Sequence, residues 1–252
     1  MTETKIPKVL HYCWFGGNPK PDLVLKCIES WKKVMPDYEI KEWNESNFDI
    51  NSHPYTKYIS DAKKWGFIVD YLRLYILYNH GGVYLDSDMF MLKSLDNLLN
   101  DSCFTAYEDD ENLSCGAVGA EKDNPFIKFC LDYYEKYNDE NYRILKTGPA
   151  VMTENYHNYR NQSGDNAFIK IHPKKYFYAF DQYEIKNFRV SYKDNILKTN
   201  APEEAYGVHM WNYSWGHPLN KFIKKIGLHK ILKKITEFLG IKKVIKKKLK
   251  ME

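Results

Sequence analysis

The sequence has no C-x-x-C pair, and its five cysteines (Cys13, Cys27, Cys103, Cys115 and Cys130) are odd in number and widely spread. That spacing excludes a zinc ribbon and a disulfide framework, so reduced thiols in a cytosolic compartment are expected. No apolar run approaches the ~18 residues that a membrane-spanning helix needs. The opening Met-Thr-Glu-Thr-Lys-Ile-Pro lacks the apolar stretch of a secretory leader. Internal repeats are missing, and no low-complexity segment precedes the lysine-rich end.

Aromatic residues, by contrast, are abundant: 16% of the chain, with 21 Tyr and 6 Trp. Most belong in the core, although stacking on sugar faces uses the same side chains. With 252 residues and 44% apolar content, the chain can bury one large domain plus an appendage. The net charge of +4 is unevenly spread. From Leu219 to Glu252, twelve lysines stand against Glu237 and Glu252, giving +10 and leaving −6 for the other 218 residues. A body of that sign is no nucleic-acid binder, and the basic end predicts an anionic partner.

Strand-like Ile6–Tyr12 ends at Trp14-Phe15-Gly16-Gly17. Leu23, Cys27, Ile28, Trp31 and Val34 recur at helical steps, and Tyr38–Trp43 reads as a second strand. This order predicts a βαβ unit and a parallel sheet. A periodic helix over Ala62–Asn79 stops at Gly81-Gly82, and Val83–Leu85 follows as a short buried strand. Further strands are expected at Phe104–Tyr107 and Ala117–Ala120, and helices from Asn124-Pro125 to Tyr137 and from Thr147-Gly148-Pro149 to Tyr159. Thr147-Gly148-Pro149 is expected to cap the second of these. The stretch from there to Trp215 reads as aromatic and irregular.

The chemistry-bearing stretch is Gly-Gly-Val-Tyr-Leu-Asp-Ser-Asp, residues 81–88. A buried strand delivers Asp86 and Asp88 to a sheet edge, where open α/β sheets bind ligands. Two carboxylates at that spacing fit a hard divalent cation plus a substrate phosphate, and they equally fit a solvated turn. Asp70 and Arg73, three apart on the preceding helix, share a face. They are either a surface ion pair or a polar pair reaching hydroxyls and phosphate. Glu108, Asp109 and Asp110 read as a solvated acidic loop rather than an acceptor-facing group.

Residues 65–89 resemble the sugar-nucleotide-binding core of glycosyltransferase family 32, which takes in capsule-synthesis enzymes and is related to the catalytic domains of glucosylating toxins. Asp70, Arg73, Gly81, Gly82, Tyr84, Asp86 and Asp88 match its pattern, while Val69 stands where serine is common. Residues 6–17 are similar to the family's opening strand, which places Trp14 against the nucleotide base. Gly-Val-His-Met-Trp-Asn-Tyr-Ser-Trp, residues 207–215, resembles its closing segment, with His209 as a metal ligand and a mobile Ser214-Trp215. On composition alone, Trp14 and His209 would be core residues.

The resemblance implies an α/β fold of GT-A type, a Rossmann-like mixed sheet flanked by helices, over residues 1–217. It implies Mn²⁺ or Mg²⁺ on Asp86, Asp88 and His209, and a nucleotide diphosphate sugar held by Trp14, Asp70, Arg73, Asp86, Ser214 and Trp215. UDP-galactose or UDP-glucose is the expected donor, with GDP-mannose as the alternative. The catalytic set is Asp70, Arg73, Asp86 and Asp88, acting in retaining hexosyl transfer to a saccharide acceptor in capsule or surface polysaccharide synthesis. Two rival readings are an effector that glycosylates a host protein and a sugar-binding module without catalysis.

In residues 218–252, Ile231, Leu232, Ile235, Phe238 and Leu239 form an apolar stripe among lysines. Such a tail fits a helix lying on an anionic membrane surface, or one packing on protein. The expectation is a peripheral enzyme on the inner face of the plasma membrane that acts on a lipid-linked acceptor. The oligomeric state is not legible.

Overall fold

β1 (Val9–Cys13) and β2 (Glu39–Trp43) pair in parallel, with Val9 opposite Glu39 and Cys13 opposite Trp43. Between them runs α1 (Asp22–Val34), whose buried Val24, Cys27, Ile28 and Trp31 lie at the three- and four-residue steps expected. In this computed structural model residues 4–62, 65–135, 146–164, 169–193 and 196–212 are described. Met1–Asn212 forms one compact unit. The tail at 218–252 lies outside the described residues. No described helix is long and apolar enough to cross a membrane.

After β2 come α2 (Pro54–Asp61), α3 (Trp65–His80), β3 (Gly82–Leu85), β4 (Met89–Met91), β5 (Cys103–Ala106) and β6 (Ala117–Ala120). The chain continues through α4 (Pro125–Glu135), α5 (Gly148–Ser163), β7 (Lys170–His172), β8 (Val190–Lys193), β9 (Ile196–Thr199) and β10 (Gly207–His209). Six strands make the main sheet in the order β2-β1-β3-β6-β5-β7. Only β6 runs antiparallel to its neighbours, so the expected mixed sheet is present.

The two-residue period of each strand divides the core between the sheet's faces. Leu10, Tyr12, Val83, Leu85, Phe104 and Ala117 pack on the side of α1. Tyr84, Val118, Ala120 and Cys103 pack with α2, α3, α4 and α5. α3 is central to that second layer. Ile68, Leu72, Ile76 and Leu77 are fully buried, each contributing about 2 kcal/mol by burial alone.

Several elements depart from the sequence reading. The helix expected from Ala62 begins at Trp65, and the separate α2 precedes it. Pro54 sits at the start of α2, and His53 Nδ1 accepts the Tyr55 N–H, a cap that a histidine rarely advertises in sequence. Thr147 occupies the N-cap of α5 but makes no side-chain cap bond. Asp70 from α3 supplies it instead, accepting the Gly148 N–H at 3.0 Å. The stretch after Ser163, expected to be irregular, contains β7, the β8–β9 hairpin and β10. Strands of three or four residues carry too little alternation to show a period.

Gly81 and Gly82 end α3 and start β3 with φ of 65° and 100°. A Cβ on Gly82 would sit 2.7 Å from the Val9 carbonyl oxygen and 2.9 Å from His11 Nε2. His11 Nε2 itself lies 2.9 Å from the Gly81 carbonyl oxygen, while its Nδ1 accepts from Trp43 Nε1. The buried ring is therefore neutral, and burial lowers its pKa to about 4. Gly82→Ala combines a strained φ with a backbone clash and is expected to cost more than about 2 kcal/mol of stability. Urea denaturation of the variant measures that loss.

Candidate active site

The carboxyl ends of β1, β3 and β5 share one edge of the main sheet, because β1 and β3 are parallel and β5 is separated from β3 only by the antiparallel β6. Trp14 follows β1, Asp86 follows β3, and Glu108 lies two residues past β5. Asp86 N–H donates to the Gly116 carbonyl at 2.8 Å, extending the β3–β6 pairing by one residue. Met89 N–H then donates to the Asp86 carbonyl at 2.9 Å, closing a turn that brings Asp88 back beside Asp86.

Asp88 is fixed from a distant part of the chain. β10 pairs antiparallel with β4, placing His209 opposite Met89. Met210 N–H donates to the Asp88 carbonyl at 3.0 Å, and Asn212 N–H to Asp88 Oδ2 at 2.7 Å. His209 Nε2 then lies 3.2 Å from Asp88 Oδ1 and 3.9 Å from Asp86 Oδ2. β4 is itself held by α1, since Trp31 Nε1 donates to the Met89 carbonyl and Ser30 Oγ accepts from Met91 N–H.

Arg73 reaches the same carboxylates from below. Its guanidinium is 5% exposed, and all three nitrogens are engaged inside the protein. Nε donates to the Val69 carbonyl, Nη2 to Asp70 Oδ1 at 3.1 Å, and Nη1 both to Asp86 Oδ1 at 3.4 Å and to the Cys115 carbonyl. Tyr84 OH donates to the same Asp86 oxygen at 3.1 Å, and the Tyr84 ring lies under the guanidinium. The Asp70–Arg73 pair is thus neither a surface ion pair nor a free fork for phosphate. Its charge acts on the site by holding Asp86. Val69, the departure from the family pattern, contributes its carbonyl and leaves this network intact.

Both Asp70 oxygens accept hydrogen bonds, from Arg73 and Gly148. Burial pushes its carboxyl up to about 6, against the pull of Arg73. A Cβ on Gly148 would lie 2.4 Å from Asp70 Oδ1, so the helix N-terminus closes on the carboxylate only because that residue is glycine.

Asp86, Asp88 and His209 can each offer one ligand atom, and these atoms lie within 4.8 Å of one another. Burial alone would lower the His209 pKa, but the Asp88 carboxylate and then Asp86 outweigh it and raise it. Burial likewise opposes ionisation of Asp88, yet His209 and the Asn212 N–H hold its pKa down. The carboxylates thus favour positive charge beside them, which a divalent cation would supply. His209 Nδ1 is buried with no hydrogen-bond partner among the described residues. Two carboxylate oxygens and one imidazole nitrogen suit Mn²⁺ or Mg²⁺ better than a thiophilic metal.

Two other groups at this edge are not evident from the sequence, and a third reads there as part of a solvated loop. Gly116 gives the Asp86 carboxylate its room, since a Cβ there would sit 2.4 Å from Oδ2. Tyr178 OH pairs with Ser114 Oγ at 2.6 Å, and its ring lies 5.2 Å from that of His209. Glu108 is the third. Asp109 and Asp110 are exposed, as a solvated acidic loop should be, but Glu108 is only partly so. Burial first, and then Asp86, raise its carboxyl to about 7, while His209 pulls the other way. Its place after β5 was legible, its burial was not.

Trp14 is half-buried against the α1-side core and donates from Nε1 to the Asn18 carbonyl at 2.7 Å. Ser214 and Trp215 lie outside the described residues.

A paired Asp-x-Asp with a histidine beside it thus stands at the carboxyl edge of a mixed sheet flanked by helices, the architecture of a GT-A fold. Residues 21–105 match the glycosyltransferase sugar-binding region containing the DXD motif, and residues 119–235 match the alpha 1,4-glycosyltransferase conserved region. Over both of these stretches the chain is similar to DXD-containing glycosyltransferases. It is 27% identical to inositol phosphoceramide mannosyltransferase 3 of Schizosaccharomyces pombe, over 59% of this chain and 44% of that protein. It is also 27% identical to an uncharacterized glycosyltransferase of Acanthamoeba polyphaga mimivirus, over 72% of this chain and 76% of the relative. The chain spans less than half the length of several curated relatives that it matches, at 23%, 44% and 49%. Among solved structures, the PaToxG glycosyltransferase shares the fold with a TM-score of 0.53 at 20% identity, over 65% of this chain and 73% of that one.

Mn²⁺ is expected to raise the melting temperature of the wild-type chain and not that of Asp88→Asn. The asparagine oxygen still accepts the Asn212 N–H, so the metal-free melting temperatures of the two should agree within a few degrees. Scanning fluorimetry with and without chelator measures both.

Proposed function

We propose that this chain is a metal-dependent, retaining hexosyltransferase that moves a sugar from a nucleotide diphosphate donor to a lipid-linked saccharide acceptor, in surface polysaccharide synthesis. The observation that carries the reading is the convergence of Asp86, Asp88 and His209 within 4.8 Å beside a buried arginine. A solvated turn has no use for that arrangement. A divalent cation held by these three residues would neutralise the diphosphate as it leaves. Arg73, by fixing one oxygen of Asp86, keeps that carboxylate aimed before substrate arrives. Asp70 orders the N-terminus of α5 at the same edge, and Trp14 lies where the base of a donor could stack.

In the transfer itself, the bond from the anomeric carbon to the β-phosphate oxygen breaks and its electron pair leaves with the phosphate. A bond forms from the acceptor hydroxyl to that carbon on the same face, and the hydroxyl proton passes to the departing phosphate oxygen. No side chain is assigned as a covalent nucleophile. Glu108, half-buried beside the carboxylate pair, is the group we place against the acceptor hydroxyl, where it would orient the attacking oxygen.

The donor reading begins from UDP-galactose or UDP-glucose. The mannosyltransferase names of several relatives favour a second reading, a mannosyl donor such as GDP-mannose. Two of those names specify an inositol phosphoceramide acceptor, which supports an acceptor carried on lipid. A membrane-surface position for the enzyme, on the cytoplasmic side, belongs to the same proposal.

With Mn²⁺ present, one nucleotide sugar should stabilise the chain clearly above the others in a thermal-shift screen, and stabilisation by none of them would defeat the reading. Glu108→Gln should keep donor hydrolysis and Mn²⁺ stabilisation near wild type while slowing transfer to acceptor by more than about tenfold. Equal losses of hydrolysis and transfer would remove Glu108 from the acceptor side.

A further inference from the structure

The β8–β9 hairpin pairs only with itself. Most of its residues are exposed, and it carries apolar side chains where a solvated ribbon needs none. Ile196 is 64% exposed and Tyr192 43%, while Leu25 on the adjoining α1 is 51% exposed. Lys33, in the last turn of α1, places its ammonium 4.4 Å from the centre of the Tyr192 ring. That contact joins helix and hairpin into one surface, along which Leu25, Glu29 and Lys33 are exposed at four-residue steps.

The surface is cationic on an acidic body. Residues 185–200 hold Lys186, Arg189, Lys193 and Lys198 against Asp194 alone, for +3, whereas the first 218 residues together carry −6. Charge on this scale, set against the trend of its own domain, selects an anionic partner. The apolar side chains decide which one. A nucleic-acid backbone gains nothing from Ile196 and Leu25. A protein groove would want them contiguous, yet here they stand singly, Ile196 between Lys193 and Lys198 and Leu25 between Lys26 and the Glu29–Lys33 pair. Isolated aliphatic and tyrosine side chains interspersed with lysine are the composition of a surface that enters the headgroup region of a bilayer.

The base of the hairpin leads towards the active site. Phe188, Val190 and Ala201 pack with Val208 and Met210, the two residues flanking His209, and with Leu23 and Cys27 of α1.

We propose that this face seats on an anionic membrane, with Leu25, Tyr192 and Ile196 entering the headgroup boundary and Lys33, Lys193 and Lys198 meeting the phosphates. It gives the lipid-linked-acceptor reading its physical means and rests on that reading for its purpose alone. The proposal uses no residue of the basic tail and none assigned to the transfer chemistry.

The test uses the full chain carrying Ile196→Cys, labelled with an environment-sensitive fluorophore. All five native cysteines are buried, so the label goes to position 196. Vesicles of phosphatidylcholine mixed with phosphatidylserine should raise and blue-shift the emission, and phosphatidylcholine alone should do so far less. Lys193→Glu with Lys198→Glu should weaken partitioning onto the mixed vesicles by about tenfold or more. Three outcomes overturn the proposal: an unchanged label on a chain that pellets with vesicles, which would leave the tail as the sole contact; wild-type partitioning of the charge-reversed variant; and a lipid-free, concentration-dependent label change, which would mark the face as a contact between copies of the chain. Mn²⁺ stabilisation, read on the same samples, reports the donor site separately, so failure of either reading leaves the other standing.

Discussion

The fold turns on a single buried cation. Arg73 is held by three carbonyl or carboxylate partners besides Asp86, and those partners come from α3 itself and from the segment entering β6. Removing it would leave Asp70 uncompensated in the core and the Cys115 carbonyl unbonded, a loss of several kcal/mol in most proteins. Well-packed apolar residues in place of both Asp70 and Arg73 would serve stability equally well if stability were all that mattered. The guanidinium instead transmits rigidity from α3, the best-packed helix, to a carboxylate at the sheet edge. Asp70, by closing the N-terminus of α5, joins a third element to the same centre.

The second half of the site depends on β4, which is only three residues long and lies outside the main sheet. On one side Trp31 and Ser30 of α1 bond to its backbone, and on the other β10 pairs with it. Few strands of that length persist unsupported. Its support fixes the position of His209, because the register of β10 against β4 sets the histidine opposite Met89 and next to Asp88. A shift of one residue would turn the imidazole to the other face of the ribbon. The geometry of the proposed metal ligands is therefore a property of strand register.

The legibility of the sequence follows the range of the interactions. α1 was readable from its own period, β1 and β2 from their strand-like runs on either side of it, and β3 and β6, buried at every position, as short apolar runs. Gly81-Gly82 marked the end of α3 for a local reason, since the backbone there is left-handed. α2 escaped because its cap is a histidine, and β7 to β10 because strands of three or four residues carry too little alternation. At the site, Asp86, Asp88, Asp70 and Arg73 were legible as a local pattern, and His209 only through family resemblance. What the sequence withheld was burial. Arg73 reads as a surface fork and Glu108 as part of a wet loop, yet Arg73 is buried and Glu108 partly so. The capping of α5 by Asp70 rather than Thr147 is invisible for the same reason.

The bond between Asn212 and Asp88 joins residues 124 apart. At ribosomal rates of ~5–20 residues per second, Asp86 and Asp88 are synthesised on the order of ten seconds before His209. Throughout that interval the nascent chain offers two carboxylates but no imidazole, a weak and unselective trap for cations. Only when β10 docks does the third donor arrive. Any choice of metal at the proposed site would thus be deferred until β10 is in place, and a chain stalled or truncated before β10 would emerge with its third donor missing.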